Sequence, residues 1–133
     1  CIPGDDGNHW ESCLTNASCL QALSRRIHDG KVVAEIKYRE HREEYDPLLA
    51  AGDGGALMER ITAPDVEARV LERIRIKANY YGQDPSRTLQ DGCLDPELVV
   101  AAYRHWIIPL TKEVEIRYLF ECAGKAAGTG SAP

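Results

Sequence analysis

Runs with the 3.6-residue period of an α-helix fill most of this sequence, and this pattern restricts the folds open to it. No segment alternates apolar and polar residues for long enough to predict a β-strand. Residues 1–15 are rich in Gly, Asp, Asn and Pro and are predicted to form a loop. Helices are predicted over 16–42, 44–51, 55–61, 62–81 and 95–122. The expected fold class is therefore all-α, a bundle of long helices.

Capping residues, prolines and a glycine mark the ends of the helices predicted over 62–81 and 95–122. Thr62 is a possible cap for the first of them, with Pro64 near its first turn and Gly82 as its stop. Residues 83–94 are predicted to form a polar loop. Asp95, followed by a proline, opens the last helix, which Pro109 is expected to kink. The length of 133 residues predicts one helical domain over 1–121 and a disordered tail over 122–133.

Composition excludes several classes of function. The formal net charge of −5 and the scattered basic residues argue against a nucleic-acid partner. No run of about 18 apolar residues is present, so no membrane span and no membrane partner are expected. The five cysteines form no CxxC motif, so neither a zinc site nor a redox motif is predicted. Reduced cysteines favour a cytoplasmic protein, with a plastid or secretion as alternatives.

Charged side chains interrupt helix faces that are otherwise apolar. Arg26 and Lys37 are 11 residues apart, which is about three helical turns plus 20°, so they point the same way. Val33 and Ala34 lie on the same face. Glu67 falls within the apolar stripe of the helix predicted over 62–81.

The last helix repeats this pattern with Thr111 and Glu115, which are one turn apart inside its apolar stripe. A buried ion without a partner costs several kcal/mol, so these groups need each other or a ligand. One interpretation is an internal network that pairs Arg26 with Glu67 and Lys37 with Glu115. The other is a polar pocket for a small anion, and the residues alone leave both open.

Three separated blocks resemble the chorismate mutases of plants and fungi. Residues 19–37 (CLQALSRRIHDGKVVAEIK) are similar to the family signature, and 109–119 (PLTKEVEIRYL) to its C-terminal helix. Residues 61–74 and 80–83 resemble the middle helix and its end. The resemblance implies an all-helical, dimeric enzyme that rearranges chorismate to prephenate in phenylalanine and tyrosine biosynthesis, with no cofactor.

The resemblance also implies a role for each of the five polar or charged residues on these helix faces. Arg26 matches an arginine that binds a substrate carboxylate, and Lys37 a lysine that reaches the ether oxygen and a carboxylate. Glu67 matches a glutamate that holds the substrate hydroxyl, and Thr111 a threonine near the other carboxylate. Glu115 matches a residue that donates a hydrogen bond to the ether oxygen, which it can do only when protonated. Activity is therefore expected to rise towards mildly acidic pH.

The sequence departs from the family pattern in three ways. It begins after the family's long N-terminal helix, which carries another active-site arginine; a missing N-terminal segment or the neighbouring subunit of a homodimer is expected to supply it. Trp10 and Glu11 stand where the regulatory site of the family has Gly-Ser, which predicts no response to tyrosine or tryptophan. Ala63 replaces an asparagine that lines the family's pocket.

These departures leave competing hypotheses. The first is an active chorismate mutase. The second is a mutase-like protein with impaired catalysis that acts as a protein-binding module, since one active-site arginine is missing. A plain helical domain with internal ion pairs is the third, which the three matching blocks argue against.

Overall fold

The computed structural model describes residues 7–82 and 95–128, except for the side chains of 125–128. Seven α-helices and one π-helical segment make up this part, which contains no β-strand, so the predicted all-α class is confirmed there. In chain order the elements are α1 (His9–His28), α2 (Gly30–Glu40), α3 (Arg42–Ala51), α4 (Gly54–Ile61), α5 (Pro64–Tyr81), α6 (Pro96–Ala102), the π-helical segment (Tyr103–Ile107) and α7 (Ile108–Gly128). None of the helices in the described ranges combines the length and the apolar character that crossing a membrane requires.

The first helix starts earlier than the sequence suggested. The loop prediction for 1–15 is wrong from His9 onward, because the Gly, Asp and Pro residues that motivated it all precede residue 8. Glu11 lies in the first turn of α1, where a negative charge favours a helix N-terminus. Asp29 separates α1 from α2 but keeps near-helical dihedral angles (φ −59°, ψ −19°). The predicted single helix over 16–42 is thus two helices joined by one irregular residue.

A left-handed glycine, a capping carboxylate and a proline determine where α4 and α5 begin. Gly52 ends α3 in the left-handed conformation (φ 68°), and Asp53 caps α4 by accepting hydrogen bonds from two backbone amides. Thr62 does not cap α5 as predicted, because its hydroxyl instead donates to the carbonyl oxygen of Met58 at 2.7 Å. Ala63 occupies the N-cap position, and α5 then runs from Pro64 to Tyr81, as expected.

The last helical region is longer and less regular than predicted. Asp95 caps α6 as expected, since its carboxylate accepts a hydrogen bond from the amide of Glu97 at 2.9 Å. The π-helical segment lies just before Pro109, which has no N–H to donate to a carbonyl of the preceding turn. α7 continues to Gly128, beyond the tail boundary predicted at residue 122. The predicted loop over 83–94 and residues 129–133 lie outside the described residues.

The hydrophobic core lies where α2, α3, α4 and α7 meet. Its fully buried members are Ala34, Tyr45, Leu57, Ile61 and Leu119. α1, in contrast, has no fully buried residue. The core therefore holds α2, α3, α4 and α7 together.

Replacing Leu57 by alanine is expected to destabilise the fold by about 3 kcal/mol, because it leaves a cavity at a side chain that is 0% exposed. Urea denaturation followed by circular dichroism measures this change. Leu98→Ala is the matched control, because Leu98 is 63% exposed. Its substitution should change the free energy of unfolding by less than about 0.5 kcal/mol, and equal losses in both variants would contradict this description of the core.

Candidate active site

A cavity of about 220 Å³ lies between α1, α2, α5, the π-helical segment and α7. All five residues singled out from the sequence line it: Arg26, Lys37, Glu67, Thr111 and Glu115. Apolar side chains make up most of the remaining wall, and these are Val33, Ile61, Ala63, Val66, Val70, Ile107 and Ile108, with Tyr103 and Lys112 beside them. Mostly apolar walls with a few convergent polar groups are typical of a small-molecule site.

Lys37 is held by two acceptors from different helices. Its ammonium donates to the Glu115 carboxylate at 3.1 Å and to the backbone carbonyl oxygen of Ile61 at 2.9 Å. Ile61 is the last residue of α4, and carbonyls at a helix C-terminus have no partner within the helix and attract cations. The Lys37–Glu115 ion pair considered from the sequence is therefore present, and the end of α4 fixes its cation.

Glu115 is the one charged residue among the fully buried side chains of the described chain, with 5% of its surface exposed. Burial raises the pKa of its carboxyl above the ordinary value, and the nearby Glu67 carboxylate adds to the rise. The ammonium groups of Lys37 and Lys112 oppose this rise. The carboxyl of Glu115 therefore keeps its proton to higher pH than an exposed glutamate does.

Glu67 has a partner that the sequence did not suggest. Its carboxylate pairs with the ammonium of Lys112 at 2.7 Å, and Lys112 also donates to the Thr62 hydroxyl at 3.3 Å. The alternative pairing of Glu67 with Arg26 is thus wrong. Sequence analysis missed Lys112, although it is three residues before Glu115, a spacing that places both on neighbouring positions of one helix face.

Arg26 and Thr111 line the cavity from α1 and α7. The guanidinium of Arg26 makes no hydrogen bond or ion pair with any residue in 7–82 or 95–128, so it is available to a ligand. The Thr111 hydroxyl donates to the carbonyl oxygen of Ile107 at 2.6 Å, which holds it against the α7 backbone.

The charges of the wall suit an anionic ligand. Arg26, Lys37 and Lys112 provide three cations, against the two carboxyl groups of Glu67 and Glu115. The wall is thus net positive within a protein whose formal net charge is −5, and more so when Glu115 is protonated. Guanidinium and ammonium groups bind carboxylates and phosphates through charge-assisted hydrogen bonds. Among the described residues, no group of three His, Cys, Asp or Glu side chains could hold a metal ion.

Comparisons with known proteins agree on one family. A family model described as chorismate mutase type II matches residues 14–116. Chorismate mutase 2 of Arabidopsis thaliana is 44% identical over 124 residues, covering 88% of this chain and 47% of that protein. The chorismate mutase of Emericella nidulans is 45% identical over 115 residues, covering 86% of this chain and 43% of that protein. The solved chorismate mutase of Candida albicans in complex with L-Trp superimposes with a TM-score of 0.78 at 42% identity, covering 87% of this chain and 43% of that one. The chain therefore spans about half the length of the curated relatives it matches.

Proposed function

Because the chain belongs to the chorismate mutase family, we propose that it rearranges chorismate to prephenate in the cavity lined by Arg26, Lys37 and Glu115. The observation that supports this most is the contact between Lys37 and Glu115 at 3.1 Å in a mostly apolar wall. It places a cation beside a carboxyl group whose pKa is raised by burial. A positive charge and a neutral hydrogen-bond donor are what an ether oxygen needs as its C–O bond breaks.

The reaction is a Claisen-type rearrangement, which needs no nucleophile and no proton transfer. The site has to fold a flexible dianion into a chair-like conformation and to stabilise negative charge that develops on the ether oxygen. Lys37 and protonated Glu115 supply the second function from α2 and α7. Because both are already in place, their dipoles need little reorganisation as the charge develops.

The remaining side chains of the wall orient the substrate. Arg26 binds one carboxylate, since its guanidinium has no partner among the described residues and offers a bidentate geometry. Thr111 lies near the other carboxylate, and Glu67 accepts the hydrogen bond of the substrate hydroxyl. We add Lys112 to this set, because its ammonium pairs with the Glu67 carboxylate at 2.7 Å and adds positive charge to the wall.

Further polypeptide is proposed to complete the assembly, either an N-terminal segment or a second copy in a homodimer. The exposed apolar face of α1 supports this, since it has no buried residue and Trp10 and Leu14 are 76% and 51% exposed. We propose a cytoplasmic location with a plastid as the alternative, because relatives are named as cytosolic in Zea mays and chloroplastic in Petunia hybrida.

The test of the function follows chorismate loss and prephenate formation with the purified chain and its Arg26→Ala variant. Loss of one charge-assisted carboxylate contact is expected to lower kcat/KM by about 10- to 100-fold. Arg25→Ala is the matched control, because Arg25 is an exposed neighbour on α1 that is not part of the cavity wall, and its activity should be unchanged. A folded chain without turnover would contradict the proposal that this chain catalyses the rearrangement without a further segment, and an equal response of both variants would contradict the role of Arg26.

A further inference from the structure

Helices α2 and α7 pack closely against each other at Gly30. This glycine is buried at the start of α2, and its φ angle is not positive, so its backbone conformation does not require glycine. A Cβ atom at this position would lie 3.0 Å from the Cγ2 atom of Thr111, 3.0 Å from the backbone oxygen of Thr111 and 3.3 Å from the Cγ atom of Glu115. Carbon atoms prefer about 3.5–4.0 Å, so any side chain here would displace part of α7.

The atoms that crowd this position belong to two residues of the cavity wall. Thr111 and Glu115 face the cavity from successive turns of α7, and both contact the space that a Gly30 side chain would fill. One turn further along α2, Ala34 is fully buried as well, so a second small residue keeps the two helices close. Lys37 then reaches across from the same helix to the Glu115 carboxylate.

We propose that Gly30 is a positioning residue, whose missing side chain lets α7 come close enough to α2 to hold Thr111 and Glu115 opposite Lys37. This inference rests on the proposed function, because the groups it positions are those assigned to the rearrangement. A methyl group at residue 30 requires an outward shift of α7, because a rotation of the Thr111 side chain would leave the backbone oxygen of Thr111 at 3.0 Å. This shift alters the contact between Glu115 and Lys37, which spans 3.1 Å in the native arrangement.

The kinetic test compares Gly30→Ala with Gly124→Ala, at a temperature where circular dichroism shows every variant to be folded. Gly124 is a matched control, because it lies within α7 and a Cβ there would have no heavy atom within 4 Å. A displacement of about 1 Å at reacting groups costs roughly 100-fold in rate, and the contacts at 3.0 Å require α7 to give way by only part of that distance, so kcat of Gly30→Ala should fall by about fivefold. KM should change less than kcat, because Arg26 lies on α1 and is not displaced. Gly124→Ala should keep wild-type kcat and KM.

A second substitution tests whether the crowded contact itself is the cause. Thr111→Ser removes the Cγ2 atom, one of the two atoms at 3.0 Å, and keeps the hydroxyl. Gly30→Ala should therefore reduce kcat by a smaller factor in the Thr111→Ser background than in the wild type. The loss should not vanish, because the Thr111 backbone oxygen remains in place. If Gly30→Ala alone does not fold, the comparison is made between Thr111→Ser and the double variant.

Titration of the Glu115 carboxyl by carbon NMR provides a readout that does not depend on turnover. The charged and titratable groups facing Glu115 are Lys37 from α2, Tyr45 from α3, Glu67 from α5 and Lys112 from α7. Separation of α2 from α7 admits water, so the pKa of Glu115 should fall towards the ordinary value in Gly30→Ala and stay unchanged in Gly124→Ala. If the wild type turns over chorismate, the kcat of Gly30→Ala and its partial recovery in the double variant test the inference, and a folded Gly30→Ala enzyme with wild-type kcat overturns it. If no variant turns over, the proposal that this chain catalyses the rearrangement without a further segment fails. The positioning role of Gly30 is then tested by the Glu115 titration alone, and an unchanged pKa in Gly30→Ala overturns it.

Discussion

Replacing Lys37 by methionine should lower kcat/KM by about 1000-fold, which is the cost of removing one preorganised donor from a site of developing negative charge. The ammonium of Lys37 is fixed by Glu115 at 3.1 Å and by the Ile61 carbonyl at 2.9 Å, so the folded protein holds it in place before any ligand binds. Methionine keeps most of the apolar length of the side chain and removes only its charge and its donors. The loss should appear mainly in kcat, because the interaction is strongest in the transition state.

Steady-state kinetics of Lys37→Met and Lys31→Met separate this effect from a general loss of positive charge. Lys31 is an exposed lysine of the same helix and lies outside the cavity wall, so its substitution should leave kcat/KM within about twofold of the wild type. Lys37→Arg should be impaired as well, because a planar guanidinium cannot take the place of an ammonium between two acceptors. An effect of Lys37→Met on KM alone would contradict a role at the ether oxygen.

The sequence was sufficient to predict which side chains share a helix face. It was not sufficient to predict which of them form ion pairs with side chains of other helices. The 3.6-residue period placed Arg26, Lys37 and Glu115 on inward faces, and the structure brings them to one cavity. Their chemical roles stay predictions. The pairing of Arg26 with Glu67 was wrong, because the face of a single helix does not report which of several cations on other helices lies nearest. Lys112, from α7, occupies that position at 2.7 Å.

Local chemistry explains the errors in the helix boundaries. Residues 1–15 consist of two segments of different composition. Only residues 1–8 contain the Gly, Asp and Pro that oppose a helix, and α1 begins at His9. Thr62 is a good capping residue in isolation, but its hydroxyl donates to the Met58 carbonyl at the end of α4. At Gly82 and Asp95, in contrast, α5 ends and α6 begins as predicted.

The sequence contains one indication of the role proposed for Gly30, which is the presence of a glycine within a helical pattern. A glycine within a helical pattern costs about 1 kcal/mol relative to alanine, so its presence there indicates a packing or functional reason. The sequence alone does not indicate what Gly30 contacts, because the helix that approaches it lies about 80 residues further along the chain. Only the fold shows that this helix is α7 and that the atoms nearest to Gly30 belong to Thr111 and Glu115.

Glu115 is expected to make the rate depend on pH, since only its protonated form can donate a hydrogen bond to the ether oxygen. Burial raises the pKa of its carboxyl, so the active, protonated form persists above the ordinary range of a glutamate. Above the raised pKa, kcat/KM should fall by about tenfold for each pH unit, because the protonated fraction falls by that factor. Below it the rate should reach a plateau.

Two substitutions at this position test the assignment through pH–rate profiles. Glu115→Gln provides a neutral donor at every pH, so its profile should be flat between about pH 5 and pH 9. Glu115→Ala removes the donor, and kcat should fall by about 100- to 1000-fold across the same range. Glu113→Gln is the control, because Glu113 is exposed on α7 outside the cavity wall, and its profile should match that of the wild type. A wild-type rate that stays flat or rises above neutrality would contradict the role of Glu115.

The same raised pKa has a consequence for stability, which can be measured without substrate. The native state binds the Glu115 proton more tightly than the unfolded state does, so this group stabilises the fold fully below its ordinary pKa. The contribution is lost as the pH rises through the raised native value, where the buried carboxyl ionises. Urea denaturation should therefore show that Glu115→Gln gains stability relative to the wild type as the pH rises through this window. If the difference between the two proteins is the same at every pH, burial does not hold the proton on Glu115, and the pH dependence of the rate must come from another group.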